Sequence, residues 1–518
     1  MFVMKTEPFP HQAEWFDRTK DLTAWGLLWE QGTGKTKPTL DTAAYLYHKS
    51  VIDTLLIVAP SGVHRRWISD QIPAHLPECG DVWTFSWSGQ KSSTQKHALA
   101  AAIAQRHKGG LLCVAISYDS LMTDRGGDFV KGLLTKRKCL YVLDESDNVK
   151  SPKAKRTIRV LASSKYAVYR RILTGTLVDE SPFDVYSQLK FLDSGIWEKI
   201  GCKGFAAFKS FFGIFEERRI GGQDGRAYPQ LISYRNLELL KGVISSTSNR
   251  VTKNGTLKLP PKLYQKRYFS MTAEQCRVYE NLKNEYESTI HSGETITAVL
   301  AMVRLTRFQQ ITSGFVPTTA TVDWGDKIIA NYDPEDLEEF YTDILETKSN
   351  LVKNEFLNLH PDASNPRLEC LREILEQTNG QLIIWAKFTR DIDLICDLLG
   401  QMKITFARYD GKVAPDDRHR EEDRFHSGEA RAFVSKASVG GAGLTLIEAR
   451  TVIYYNNTFR LKHRLQSEDR AHRLGQDNQV LYIDIVAEDT VDEKILNALR
   501  TKRRIASEVN GDNLAEWV

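Results

Sequence analysis

Four short stretches of this chain hold the residue types that phosphate chemistry needs. The first is Gly32-Thr33-Gly34-Lys35-Thr36. Two glycines let the backbone turn N–H groups toward a phosphate. Lys35 has the reach for β and γ phosphates, and the Thr36 hydroxyl suits magnesium. The strict phosphate-loop spacing asks for a further glycine where Trp29 stands, so a glycine-rich turn ahead of a helix is the plain alternative. The second is 140-LYVLDES, which ends in Asp144 and Glu145. Adjacent carboxylates at a strand end suit an ion and a polarised water, with Asp144 in the ion's shell and Glu145 toward the attacking water. The alternative is an Asp-Glu pair that caps the next helix. The third, 173-LTGT, offers hydroxyl and backbone groups that could sense a phosphate. The fourth is 466-QSEDRAHRLGQ, where Gln466, Arg470 and Arg473 fall at i, i+4 and i+7. One helix face is expected to present all three. Either arginine could then serve as a finger to a γ-phosphate held by another domain, against the alternative of a solvated helix.

The elements that must position these residues are legible as short β-branched apolar runs alternating with helix-length amphipathic stretches. In the first third the runs are 54-TLLIVAP, 111-LLCVAIS, 139-CLYVLDE and 168-VYRRILTGT. Near the end they are 382-LIIWAK, 404-ITFARYDG, 431-RAFVSK, 451-TVIYYN and 480-VLYIDIVA. Near-continuous apolar strands separated by helices predict parallel sheets covered on both faces. Two such sets predict two α/β domains. Each chemical stretch then follows a strand, at the edge where open α/β sheets place their ligands. Between the sets, Leu259-Pro260-Pro261 breaks the chain, 272–310 reads as helical, 331-NYDPEDLEEFYTDILE as an acidic amphipathic helix, and 361-PDASNP as a boundary. Aromatics in this middle region are expected in the core.

Bulk properties exclude several classes. Of 518 residues, 42% are hydrophobic and 26% charged, as in ordinary globular proteins. No apolar run approaches the roughly 18 residues of a membrane span. Glu7 and two prolines interrupt MFVMKTEPFPHQ before any signal-peptide core develops, so an intracellular protein is expected. Seven cysteines, an odd number without C-x-x-C pairs, signal neither a zinc site nor a disulfide framework; Cys113 and Cys139 read as small core residues. The net charge of +4 leaves room for a basic groove without demanding one. Basic runs such as Lys136-Arg137-Lys138 read first as solvated faces.

The chain resembles Swi/Snf-type ATPases of helicase superfamily two. The resemblance runs through 10-PHQ, 31-QGTGKT, 56-LIVAPSGVHRRW, 115-AISYDSL, 143-LDES, 173-LTGTLVDESPFDVYSQLKFLD, 382-LIIWAKFTRDID, 434-VSKASVGGAGLTL and 466-QSEDRAHRLGQ. It implies two RecA-like lobes with helical insertions, ATP and Mg2+ as cofactors, and motion on double-stranded DNA. It implies that Gln12 reads the adenine. Residues 1–194 would form the first lobe, 195–250 a helical insertion, and 251–271 the return to lobe 1 and a linker. Residues 272–360 would be a helical protrusion and linker, and 361–518 the second lobe. Two departures stand out. Asp144-Glu145-Ser146-Asp147 replaces Asp-Glu-Ala-His, which puts coupling to the track in question. The loop 454-YYNNTFRLKHR replaces one with paired tryptophans and prolines.

For the track, polar and basic residues after the strands suit phosphate contacts that carry no sequence information. In the first lobe these are Ser61, Arg65, Arg66, Ser117 and Tyr118. In the second they are Lys436, Gly441, Gly443 and Thr445. Three function classes follow: a duplex-DNA translocase or remodeller, a strand-unwinding helicase of RNA or DNA, and a nucleotide-switched binding module with little turnover. The expected setting is a monomer without membrane association, aided by a protein partner for targeting. It would work in a bacterial or phage-host cytoplasm, or in the nucleus if eukaryotic.

Overall fold

Every apolar run read as a strand forms one. The computed structural model describes residues 3–87, 110–220, 226–257, 259–291, 298–317, 356–360, 365–414, 417–438 and 444–510. Its strands are β1 (Ala24–Trp29), β2 (Thr54–Ala59), β3 (Val82–Ser86), β4 (Leu111–Ser117), β5 (Cys139–Asp144), β6 (Tyr169–Leu173), β7 (Gly213–Ile220), β8 (Arg226–Tyr234) and β9 (Ser248–Val251). They continue as β10 (Lys262–Phe269), β11 (Phe315–Pro317), β12 (Phe356–Asn358), β13 (Leu382–Trp385), β14 (Phe406–Tyr409), β15 (Ala432–Ser435), β16 (Thr451–Tyr454) and β17 (Val480–Ala487). One sheet has the order β3-β4-β2-β5-β6-β1-β9 and the other β10-β17-β16-β13-β15-β14. All of their pairings are parallel. The fold class is the expected one: two α/β lobes built on parallel sheets.

Alternation explains why such runs need cover on both sides. In the second sheet Leu382, Ile384, Ile453, Ile483 and Ile485 enter one core, while Ile383, Trp385, Val452, Tyr454 and Tyr482 enter the other. Successive side chains of a strand point to opposite faces, so helices must cover both. Six of the seven cysteines are buried and all are free thiols. Arg137, read within a solvated basic run, is instead buried, donating to the Thr54 hydroxyl at 2.9 Å and the Asp53 carbonyl at 3.0 Å. Among the described residues, no helix is long and apolar enough to cross a membrane.

Chain contacts separate two units, the first running to Ile214 and resuming at Ser233–Lys258, the second spanning Leu259–Arg503. The division falls at the Leu259-Pro260-Pro261 break. Four strands of the two large sheets have no near-continuous apolar run in the sequence. In β1, Gly26 interrupts the pattern. A Cβ there would lie 2.8 Å from the Ser248 Cβ, so glycine is what lets β9 approach. Strand β3 is a half-exposed edge, and β9 has four residues. Strand β10, KLYQKRYF, lies where return to lobe 1 and linker were expected, but pairs with β17 throughout its length.

The stretch 195–250 is not purely helical. It holds the helices Phe205–Phe212 and Leu237–Thr247, the two-stranded ribbon β7–β8, and β9. Its aromatics are core as expected: Trp197, Phe208 and Phe212 are buried and pack edge to face. Residues 272–310 form two helices, Ala273–His291 and Ala298–Thr312. The acidic helix expected from 331 lies outside the described residues.

Candidate nucleotide site

Strands β5, β6 and β1 are consecutive in the first sheet and parallel. Their C-terminal ends therefore share one edge, and they deliver Asp144-Glu145, Thr174-Gly175-Thr176 and the Gly32–Thr36 loop side by side. Thr36 opens the helix Thr36–His48, so the loop leads into a helix N-terminus, where unpaired N–H groups favour anions. Gly34 has a φ of +82°, and the Gln12 side chain occupies the place a Cβ would take. Gln12 is buried and braces this turn: it accepts from Phe9 N–H at 2.8 Å and donates to the Gly34 carbonyl at 2.9 Å. The Lys35 ammonium donates to the Trp29 carbonyl at 2.8 Å. Trp29, which breaks the strict spacing, thus holds the lysine across the loop with its main chain, while its side chain is buried.

The acidic pair is held by named partners. Asp144 accepts from the Trp67 indole N–H at 2.8 Å and from Glu145 N–H at 3.1 Å. Burial and then the neighbouring Glu145 charge push the Asp144 carboxyl up to about 6, against the Trp67 hydrogen bond and the Lys35 charge. Glu145 has a φ of +51°, a left-handed conformation costing about 1–3 kcal/mol that persists only where surroundings impose it. Asn148 imposes it, donating its side-chain amide and its backbone N–H to the Glu145 carbonyl at 2.8 and 3.0 Å. Gln31 donates to the Glu145 carboxylate at 3.3 Å, tying the Gly32–Thr36 loop to the acidic pair. Asp147, the departure from the family pattern, is buried and accepts from the Thr174 hydroxyl at 3.4 Å. A carboxylate suits that donor, so the acidic segment still touches the Leu-Thr-Gly-Thr turn.

Two expectations for the track change. Ser117 and Tyr118 are each only 2% exposed. Ser117 caps the short helix Tyr118–Met122 by accepting from Ser120 N–H, and the Tyr118 hydroxyl donates to the Asp144 carbonyl at 3.0 Å. Neither faces solvent, because β4 is buried along its whole length and its end turns inward. Ser61 and Arg65 are exposed and Arg66 is half-buried. Trp67 and its link to Asp144 escaped the sequence reading; the only signal was its place right after the basic pair.

In the second unit the arginine motif is rearranged. The helix ends at Ala471, and His472 leaves helical geometry with φ −102° and ψ 79°. Arg473 therefore lies beyond the helix, and no single helical face presents Gln466, Arg470 and Arg473. Gln466 and Arg470 are buried within the helix. The two arginines meet all the same: each donates to the Leu444 carbonyl at 3.2 Å, and Arg473 also donates to the Thr445 hydroxyl at 2.8 Å. Burial pulls the Arg473 pKa down, opposed by Asp469. Lys436 follows β15 and is half-buried, and Gly441 and Gly443 lie outside the described residues. The departing loop after β16 is structural: Asn456 donates to Asp391, and Asn457 donates to Asp484 at 2.7 Å. Sequence reading also missed a buried charge cluster. Glu468 accepts from Arg464 at 2.8 Å, Lys262 at 2.9 Å and Tyr264 at 2.8 Å, and Arg464 also pairs with Asp484.

Comparison with known proteins gives this architecture a family. A family model described as SNF2-related domain matches residues 13–313, and one described as Helicase conserved C-terminal domain matches residues 366–475. The chain is 22% identical over 506 residues to the ATP-dependent helicase fft1 of Schizosaccharomyces pombe, covering 93% of this chain and 50% of that protein. It is 25% identical over 491 residues to the transcription regulatory protein SNF2 of Saccharomyces cerevisiae, covering 93% and 26%. It thus spans half or less of the length of these relatives. A solved structure titled Sulfolobus solfataricus SWI2/SNF2 ATPase core in complex with dsDNA is 19% identical, covering 98% of this chain and 95% of that one, with a TM-score of 0.40. With a model matched over more than half its length, the chain belongs to the SNF2-related family.

Proposed function

We propose that this chain is an ATP-dependent motor that translocates on or remodels double-stranded DNA, or displaces proteins from it. The observation that carries the reading is the shared edge of β5, β6 and β1, where a glycine-turned Lys-Thr loop, an acidic pair with a strained Glu145, and the Thr174–Thr176 turn stand together. In this reading Gly32, Thr33, Gly34 and Lys35 cradle the phosphates, and Gln12 and Gln466 contribute to the nucleotide site. Lys35 leaves the Trp29 carbonyl to meet the phosphates, and Glu145, held by Gln31, orients the attacking water. Thr36 and Asp144 fit magnesium. Both offer hard oxygens, the ion takes one or two such groups beside phosphate oxygens and water, and the half-buried Asp144 carboxylate lies beside a second carboxylate, Glu145. Bound there, magnesium supplies neutralisation of developing phosphate charge. Arg470 and Arg473 are the finger candidates. Ser61, Arg65, Arg66, Lys436 and Thr445 remain the assigned phosphate contacts on the duplex.

The test is ATP turnover measured with no polymer, duplex DNA, forked DNA, single strands and RNA. The proposal expects duplex DNA to stimulate most, without strand separation. Stimulation by RNA, or strands parting, selects an unwinding helicase. Nucleotide binding without turnover selects a nucleotide-switched binding module.

A further inference from the structure

Two aromatic side chains end on Asp144, one from the segment that carries the assigned duplex contacts after β2 and one from the helix tied to that segment through Ser61 and Asp119. Strands β4, β2 and β5 are consecutive in the sheet. After β2 come the exposed Ser61 and the Arg65-Arg66 pair, and then Trp67, which is 2% exposed and donates its indole N–H to the Asp144 carboxylate at 2.8 Å. After β4 comes Tyr118, whose hydroxyl donates to the Asp144 main-chain carbonyl at 3.0 Å. The two segments are also tied to each other, since the Ser61 hydroxyl donates to Asp119 at 2.8 Å. The result is a closed triangle of the loop after β2, the helix after β4 and the end of β5. Trp67 also opens a single π turn, Trp67–Gln71, in which Ile72 N–H bonds back to the Trp67 carbonyl. Such turns hold one residue more than an α turn and recur at functional sites.

We propose that Trp67 and Tyr118 are positioning residues that transmit duplex contact at the segment after β2 to Asp144, Trp67 directly and Tyr118 through the Ser61–Asp119 tie to the helix after β4. This rests on the reading of the chain as a duplex-driven ATPase. An indole N–H can only donate, so Trp67 fixes which way one carboxylate oxygen faces, while Glu145 N–H holds the other. A shift of the Arg65-Arg66 backbone moves the indole with it, and the carboxylate must follow or lose its donor. Tyr118 steadies the main chain of the same residue, so side chain and backbone of Asp144 answer to two tied segments.

Duplex affinity is to be measured with and without magnesium and a non-hydrolysable ATP analogue, for native, Trp67→Phe and Tyr118→Phe proteins. The ratio of the two affinities is the coupling between sites, and linkage makes it reciprocal. The native ratio is expected to be roughly fivefold or more. Both variants should keep the nucleotide-free duplex affinity while the ratio falls toward one. Maximal duplex-stimulated turnover should fall roughly tenfold in Trp67→Phe, the loss of one hydrogen bond to a charged group, and roughly fivefold in Tyr118→Phe, whose bond is to a neutral main-chain carbonyl, with little change in KM for ATP. Tyr118→Phe removes one oxygen and keeps the ring, so it decides the matter if Trp67→Phe misfolds. Native ratios in folded variants would reduce both residues to core packing and overturn the proposal. A native ratio of one alongside duplex-stimulated turnover would overturn it too, and leave the motor reading intact. A native protein without duplex-stimulated turnover would sink the motor reading itself.

Discussion

Glu145 holds a backbone conformation that a non-glycine residue adopts only under constraint. The strain, the Asn148 clamp on its carbonyl and the Gln31 contact to its side chain hold one carboxylate next to the Gly32–Thr36 loop. Replacing Glu145 with Gln keeps the size and removes the base. Turnover is expected to fall by about 10²–10⁴ while ATP binding persists, as measured by equilibrium nucleotide binding beside single-turnover kinetics. Lys35→Ala should act by the other route, weakening nucleotide binding itself. A Glu145→Gln protein with native turnover would remove Glu145 from the water-positioning role. Arg473 belongs at this scale too. Fingers contribute on the order of 10³–10⁵ in rate, so Arg473→Ala should lose most duplex-stimulated turnover and keep ATP binding. Arg470→Ala, compared side by side, shows which arginine carries the effect, and full activity in both variants would return this segment to a structural role.

At the scale of elements, the buried Glu468 joins the helix Leu461–Ala471 to β10 through Lys262 and Tyr264. Burial alone would raise the Glu468 pKa, but Lys262 and Arg464 outweigh it and hold the carboxyl well below its ordinary 4.5. A depressed folded value means stability that is fully present above the unfolded pKa and lost as pH falls below about 4.5. Glu468→Gln should cost about 3–5 kcal/mol, because it strands buried cations. It should also flatten the acid limb of Tm against pH, and unchanged acid sensitivity in the variant would place the titration elsewhere. None of this cluster was legible in the sequence. In KLYQKRYF, four polar residues break up any apolar run, and only the buried carboxylate across from it makes Lys262 an inward residue. The nine apolar runs were legible because strands covered on both faces must be apolar throughout. So was the chemistry of the Asp144-Glu145 pair and the Lys35 loop, which stand at the ends of β5 and β1 with β6 between them. Tyr118 misled because a polar residue just past a strand reads as surface until the inward turn of β4 is known. Arg473 misled because helical spacing continues in the sequence past Ala471, where the backbone departs.

For the whole molecule, the assigned nucleotide groups are divided: Lys35, Thr36, Asp144 and Glu145 belong to the first unit, and Gln466, Arg470 and Arg473 to the second. Assigned duplex contacts lie in both. Binding through phosphates predicts that the logarithm of duplex affinity falls linearly with that of salt, by roughly 0.9 per contact, with little dependence on base sequence. A titration over a range of salt on two unrelated duplexes checks this, and a flat slope or a strong sequence preference would reject phosphate contacts as the binding mode. The pairing of β10 with β17 has a different consequence, for synthesis. The first sheet has all its strands once Val251 has been made, so it can close on the ribosome. The second begins with β10 at Lys262, but its partner starts at Val480. At typical elongation rates β10 waits on the order of ten to forty seconds for β17. Through that interval its pairing edge is open, with Leu263 and Tyr268 exposed even in the finished protein. Lys262 and Lys266 keep such an edge charged while it is unpaired, which is how natural sheets discourage wrong partners. The lysines of this strand thus serve the nascent chain before one of them, Lys262, is taken into the buried cluster around Glu468.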